Sequence, residues 1–381
     1  MASPSPGSIS NGTDNAQREA SVVSLGNVLV SLGLSVLVLA GVGYWTFDLS
    51  AVRQMLRHTN AALLGAALLV TIARVVAGGW RLQFVSQGRL SLISGTRGQL
   101  AWEFFSSVTP SAIGGGPVTA FYIARERNIT VGDATALMLF AMLLDQLWFI
   151  VAIPVVVASS TVLDVIPNAI GSVGLWLSMA YFVGMLLWAS VFAYATLFRP
   201  HLLVRLADWF TQWPYLRRFR SRVLREMRTF TRRARRLRSQ PPSFYVKGFL
   251  ITAATWIGRY VLVLFIVGSV HPGVDAPLLL FRTAAMTLVG LAMPTPGGSG
   301  GLEGLYALFL GPLMPDALVV PTLLTWRLLG YYLFIAVGAY LFTHQVHRAY
   351  RTQHASGDTG SPDAEPPAAD ASPPVMSDPQ E

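Results

Sequence analysis

Hydrophobic residues run in long unbroken blocks along this chain, and polar residues gather between them. The blocks are Leu25 to Phe47, Ala61 to Trp80, Ala134 to Ala158, Val173 to Phe198, Phe244 to Val270 and Leu318 to Phe342. Each reaches the roughly 20 apolar residues that carry a helix across a bilayer, so the pattern predicts six full transmembrane helices. Two further apolar stretches are broken. TPSAIGGGPVTAFYIAR at residues 109–125 and AMPTPGGSGGLEG at residues 292–304 place prolines and a run of glycines inside sequence that otherwise suits hydrocarbon.

The polar positions orient the helices, because lysine and arginine concentrate in cytoplasmic loops. Eleven arginines between Arg217 and Arg238 put the loop at residues 199–247 inside the cell, so Val173 to Phe198 runs inward and Ala134 to Ala158 outward. Arg81, Arg89 and Arg97 on one side of the first broken stretch, and Arg125 and Arg127 on the other, all belong inside. A single crossing between them would violate the rule, whereas a re-entrant hairpin satisfies it. The same argument places Pro277 to Pro312 as a hairpin from the outer side. Each half then reads helix, helix, hairpin, helix, with every direction reversed. The predicted fold is an all-α polytopic membrane protein of six full helices and two re-entrant half-helix hairpins, arranged as an inverted repeat of 25–158 and 173–343 within one membrane domain, 21–345.

Irregular backbone at membrane depth is tolerated where protein or a wet cavity satisfies it, and paired Gly/Pro-broken segments in reversed halves point to a transporter's binding site. Pro110, Gly114, Gly115 and Gly116 in the first hairpin, with Pro294, Pro296, Gly297, Gly298, Gly300 and Gly301 in the second, are therefore candidates to face a cavity. There the bare amides of the returning half-helices would favour an anion. The competing use of such glycines is close helix packing.

Ionisable groups inside the apolar blocks extend the candidate site, since their cost at bilayer depth makes them functional suspects. They are Arg74, Glu103, Asp145, Arg259, Arg282, Glu303 and Arg327. Arg74 and Arg259 hold corresponding places in the second helix of each half, and Glu103 and Glu303 lie on hairpin arms. Four arginines against three acids leave the interior slightly positive, which suits an anionic head group. Internal pairing is the alternative: Arg74 or Arg327 could neutralise Asp145 or Glu103. Arg81 and Arg282 lie near enough to the ends of their segments to snorkel to an interface.

Composition adds the class and the exclusions. Hydrophobic residues make up 53% of the 381 and charged residues 12%, about half the charged share of soluble domains; mean hydropathy is +0.51. There is no cysteine, so disulfides and thiolate metal sites are out. Residues 1–20 are Ser/Gly/Asn-rich, and residues 352–381 are Pro/Ala/Ser-rich with six acids and no Lys or Arg; both read as disordered tails. The formal charge of +9 sits mainly in residues 217–238, where Phe219, Val223, Met227, Phe230, Ala234 and Leu237 recur every three or four residues. That is an amphipathic basic helix suited to the anionic inner leaflet rather than to nucleic acid, or simply a topology signal. No hydrolase, nucleotide-binding or metal motif is present, and His344 and His347 have no evident third ligand. The reading is a non-enzymatic protein without cofactor, in a bacterial cytoplasmic membrane with both termini inside.

WRLQFVSQG from residue 80, TPSAIGGGPVTAFYIARER from 109, LLDQLW from 143, PTPGGSGGLEG from 294 and WRLLGYYL from 326 together resemble the lysylphosphatidylglycerol synthase transmembrane region family, also called flippase-like or UPF0104 proteins, over about Leu25 to Phe342. The first glycine motif lacks the Gly-Asp step followed by Arg of many members. The resemblance implies a region that moves a lipid between leaflets, here without the soluble synthase domain of larger relatives. The cargo it implies is an anionic or zwitterionic phospholipid or a polyprenyl-linked glycolipid. Two other readings are a membrane enzyme or accessory subunit acting on lipid-linked glycans, and a non-transporting regulator that holds lipid through its basic loop.

Overall fold

The computed structural model describes residues 59–108, 115–127, 129–167, 171–199, 235–293 and 295–341, with scattered residues between 169 and 232. The block Leu25 to Phe47, Pro110, Gly114, Pro294, most of the arginine-rich segment and both tails lie outside the described residues. All described elements are helical. They are α1 (Ala61–Val85), α2 (Leu92–Val108), α3 (Gly115–Arg127), α4 (Val131–Ser159), α5 (Gly171–Phe198), α6 (Pro242–Val270), α7 (Ala276–Gly290), α8 (Gly301–Leu310) and α9, which begins at Asp316–Arg327, widens into a π-helical turn at Leu328–Tyr332 and continues to Leu341. Five of them, α1, α4, α5, α6 and α9, are long and apolar enough to cross a membrane. The chain is a multi-pass membrane protein.

Local sequence sets the helix starts. The Asn60 side chain accepts from the amides of Ala62 and Leu63, Thr130 from Asp133, and Asp275 from Leu278, satisfying donors that a helix leaves open at its N-terminus. Pro242 and Pro277 stand in first turns, where a missing amide costs nothing. Hydroxyls inside the apolar helices turn back onto their own carbonyls, as Thr71 does to Ala67, Thr252 to Gly248 and Thr325 to Pro321, so that polar side chains in hydrocarbon keep a partner.

The centre is an antiparallel pair, α1 with α6. The Asn60 amide donates to the Ser269 carbonyl at 2.8 Å at one end, Gly258 lies against Arg74 in the middle, and Phe84 stacks on Phe244 at 4.6 Å at the other end. The hairpin α2–α3 closes at the Phe84 end: Arg89, just before α2, reaches Asp133, at the start of α4, across 3.5 Å. The second pair, α7–α8, closes at the opposite end. Arg282, midway along α7, donates to the Phe309 carbonyl near the end of α8 and to the Asp164 carbonyl in the α4–α5 connection.

The apolar core runs through α4 to α9, with Phe149, Phe182, Tyr260, Met286, Tyr306 and Leu323 among its buried members. The outward side chains are as apolar as the core. Leu68, Leu69, Ile72, Val76 and Trp80 form an exposed stripe on α1, and α5 exposes Trp176, Leu177, Leu187, Trp188 and Val191. In water such a surface would drive association; against acyl chains it is the natural exterior.

Glycine sets the closest helix crossing. A Cβ on Gly79 would strike the backbone of Thr96, and one on Gly95 the carbonyl of Gly79, so α1 and α2 touch backbone to backbone. Gly79→Leu is therefore expected to destabilise the protein by about 1–3 kcal/mol through overpacking, read as a lower melting temperature in detergent. Gly65→Leu, at a site with nothing within 4 Å, should leave that temperature unchanged.

Candidate functional site

The two hairpins approach each other around a cavity of about 140 Å³ enclosed by α1, α2, α6, α7, the glycine-rich segment and α9. Its charged wall is built around Glu103 of α2. One oxygen, Oε1, accepts from Arg74 of α1 at 3.0 Å, from Arg259 of α6 at 2.7 Å and from the Gln99 amide at 3.2 Å. The guanidinium of Arg74 also lies 4.7 Å from the Phe334 ring centroid, and that of Arg259 lies 5.1 Å from the Trp256 ring. Arg74 of α1 and Arg259 of α6 thus converge on a single carboxylate. The internal pairing weighed for Arg74 and Glu103 is present.

The opposite wall comes from the second hairpin and α9. Arg327 pairs with Glu303 Oε2 at 2.7 Å, and both side chains are almost fully buried. Arg327 also donates to the Gly297 carbonyl at 3.4 Å and lies over the rings of Trp326 and Tyr331. The same Glu303 oxygen accepts the Gly300 amide at 2.8 Å. The expectation of bare amides at the start of α8 is corrected there: at the position where the helix dipole attracts an anion, the protein supplies its own carboxylate.

The glycines divide by role. Gly297, Gly298 and Gly300 have φ of 58°, 68° and 84°, a region that L side chains avoid. A Cβ on Gly297 would enter the Tyr331 ring, one on Gly298 would meet Leu302, and one on Gly301 would meet Met293. Gly297 and Gly298 line the cavity, and Pro296 leads into this turn. Gly115 and Gly116 do not line it. A Cβ on the first would strike Ser106 and Trp102 of α2, and one on the second would come within 2.9 Å of Met142 in α4. The packing use of glycine holds in the first hairpin, and the first hairpin contributes to the cavity through Glu103, Ser106 and Ser107 of α2 instead.

Asp145 stands outside the cavity wall. It binds Arg81 at 2.6 Å and the Trp256 indole at 2.9 Å. Arg81 and Arg282 are 4% and 7% exposed, because Asp145 and Trp102 hold the first and two carbonyls hold the second.

The family model of the lysylphosphatidylglycerol synthase TM region matches residues 28–338. The chain belongs to that family. It is also 27% identical over 301 residues to a UPF0104 membrane protein of Archaeoglobus fulgidus, covering 75% of this chain and 87% of that protein. Two of the sequence motifs that carry the family likeness form one junction. In WRLLGYYL, Trp326 and Arg327 precede the π-helical turn, a device frequent at functional sites. The turn presents Tyr331 to both hairpins: its hydroxyl lies 3.2 Å from Ser299 Oγ of PTPGGSGGLEG and donates to the Ser107 carbonyl at 3.3 Å.

Sequence reasoning missed Tyr331, Ser106 and Trp256. The one available signal for Tyr331 was its place one turn beyond a mid-helix arginine, beside Gly330.

Removing one member of a buried ion pair leaves the other charge uncompensated. Glu303→Gln should therefore cost about 3–5 kcal/mol, while Glu303→Gln combined with Arg327→Met should recover part of that loss in a thermal unfolding assay in detergent. Gly297→Ala should be more damaging than Gly304→Ala, whose added methyl meets nothing within 4 Å.

Proposed function

We propose that this member of the family is a flippase-like protein: it accepts the polar head of a phospholipid or polyprenyl-linked lipid in the cavity between the hairpins and passes it between leaflets. The observation that carries this reading is the cavity itself, with Arg74, Arg259 and Arg327 on its walls inside a bundle whose exterior is apolar. A head group crossing about 30 Å of hydrocarbon needs a polar waypoint near the middle, and a site with three guanidiniums is one. The relatives' names say membrane protein and synthase region; transport is our inference for this chain.

Re-entry of the two hairpins from opposite faces follows on this reading. The Arg89–Asp133 contact closes the first hairpin at one end of the bundle, and Arg282 closes the second at the other. The antiparallel α1–α6 pair supports the inverted repeat. Arg89, Arg236 and Lys247 near the Phe84 end support a cytoplasmic assignment of that end, and with it cytoplasmic termini in a bacterial cytoplasmic membrane on this reading. The end of the arginine-rich segment is fixed to this face. Leu237 is buried, the Tyr245 hydroxyl donates to the Leu237 and Arg238 carbonyls, and Arg238 lies over Phe198. That anchoring supports contact of residues 217–238 with anionic inner-leaflet lipid.

Reconstitution in liposomes carrying a fluorescent phospholipid or polyprenyl phosphate tests the function. Protein should speed the loss of inner-leaflet fluorescence to an external quencher, and Glu303→Gln with Arg327→Met should slow it. A folded protein that moves neither lipid class defeats the proposal. Single cysteines at positions 89 and 125 should react with an impermeant maleimide from the same side; labelling from opposite sides would remove the hairpin.

A further inference from the structure

The charges around the cavity do not balance, and the imbalance has an address. Three guanidiniums, of Arg74, Arg259 and Arg327, face two carboxylates, Glu103 and Glu303. Arg327 has Glu303 to itself within this set, whereas Arg74 and Arg259 share Glu103. The Arg259 side chain is 38% exposed, against 4% for Arg74 and 3% for Arg327. The surplus cation is therefore the one that a ligand in the cavity can reach. Asp145 does not offset it, since Arg81 and the Trp256 indole engage that carboxylate.

The unpartnered polar atoms agree in kind. Arg74 Nε and Arg327 Nε are buried without a hydrogen-bond partner, and both residues line the cavity. Guanidine nitrogens can only donate. A ligand that satisfies them must accept. A group with one negative charge and several acceptor oxygens matches both the surplus charge and the waiting donors, and planar guanidinium groups recognise phosphate oxygens well.

We infer that the cavity takes a phosphate group carrying one net negative charge, with Arg259 as its ion partner, so that an anionic phosphodiester lipid is preferred to a zwitterionic one. This rests on reading the cavity as the head-group site. The same chemistry is offered by free inorganic phosphate, and the experiment separates the two sources.

The full chain in detergent would be titrated with phosphatidylglycerol, with phosphatidylcholine and with inorganic phosphate, with binding followed by native mass spectrometry and by thermal shift. Phosphatidylglycerol should bind more tightly than phosphatidylcholine, by on the order of tenfold for one charged hydrogen-bonded contact. Arg259→Gln should abolish the preference, and Arg259→Lys should restore part of it. Inorganic phosphate that binds as tightly as the lipid, and competes it off, would make the ligand a free anion rather than a head group. Equal binding of the two lipids, or an unchanged preference in a folded Arg259→Gln protein, overturns the inference. Translocation of phosphatidylcholine as fast as phosphatidylglycerol would sink the charge preference and leave the flippase reading standing. A binding preference without translocation of any lipid would do the reverse.

Discussion

One oxygen of Glu103 holds guanidinium groups from both halves of the chain. In hydrocarbon neither Arg74 nor Arg259 can stay charged without a partner nearby, so α1, α2 and α6 must all come within reach of that carboxylate. The glycines make the approach possible. Gly258 lets α6 close on Arg74, Gly79 and Gly95 let α1 and α2 touch, and Gly78 faces the side chain of Gln99, the third donor on Glu103. Charge sets where these helices must meet, and small residues allow them to meet there.

The second half repeats the logic with different parts. Glu303, like Glu103, lies on a hairpin arm, and Arg327, like Arg74, lies on a full-length helix. Each hairpin is thereby pinned to the body by an ion pair. In lipid a hairpin arm of 10 or 17 residues gains no hydrophobic drive toward its neighbours, so the ion pair adds to what its packed side chains hold. The difference between the halves is that the first carboxylate serves two arginines and the second serves one.

The long helices could be read from the sequence because twenty apolar residues in a row have one use, and all five runs within the described residues became helices. The short arms on either side of each broken stretch could be read from its prolines and glycines, and α2, α3, α7 and α8 stand there as helices. The acids and arginines of the site were visible because an ion inside an apolar run stands out. Arg74 with Glu103 was among the pairings weighed, but the partners of Arg81 and Arg259 were not legible: Arg81 finds Asp145 and Arg259 finds Glu103 across 64 and 156 residues of chain, a choice made by helix crossings that no local pattern records. Gly115 and Gly297 looked alike for the same reason. One meets Ser106 and the other Tyr331, so one is a packing contact and the other a cavity wall.

The junction between the hairpins is held by unequal bonds. Within each hairpin's anchorage the contacts are short and charged, as in Arg327–Glu303 at 2.7 Å. Between the hairpins, Tyr331 reaches Ser107 at 3.3 Å and Ser299 at 3.2 Å, neutral contacts longer than is usual for a hydrogen bond between two oxygens. Arg259–Glu103, at 2.7 Å, is the short charged link from the second half to the first hairpin. An anion that takes Arg259 competes with Glu103 for it, and Glu103 keeps Arg74 and Gln99 after the exchange, so its charge remains compensated. On the proposed reading, the ligand thus weakens the strongest link across the junction at the moment it arrives. Binding and loosening then act through one side chain, which is the differential interaction that any ligand-driven shift between two states requires.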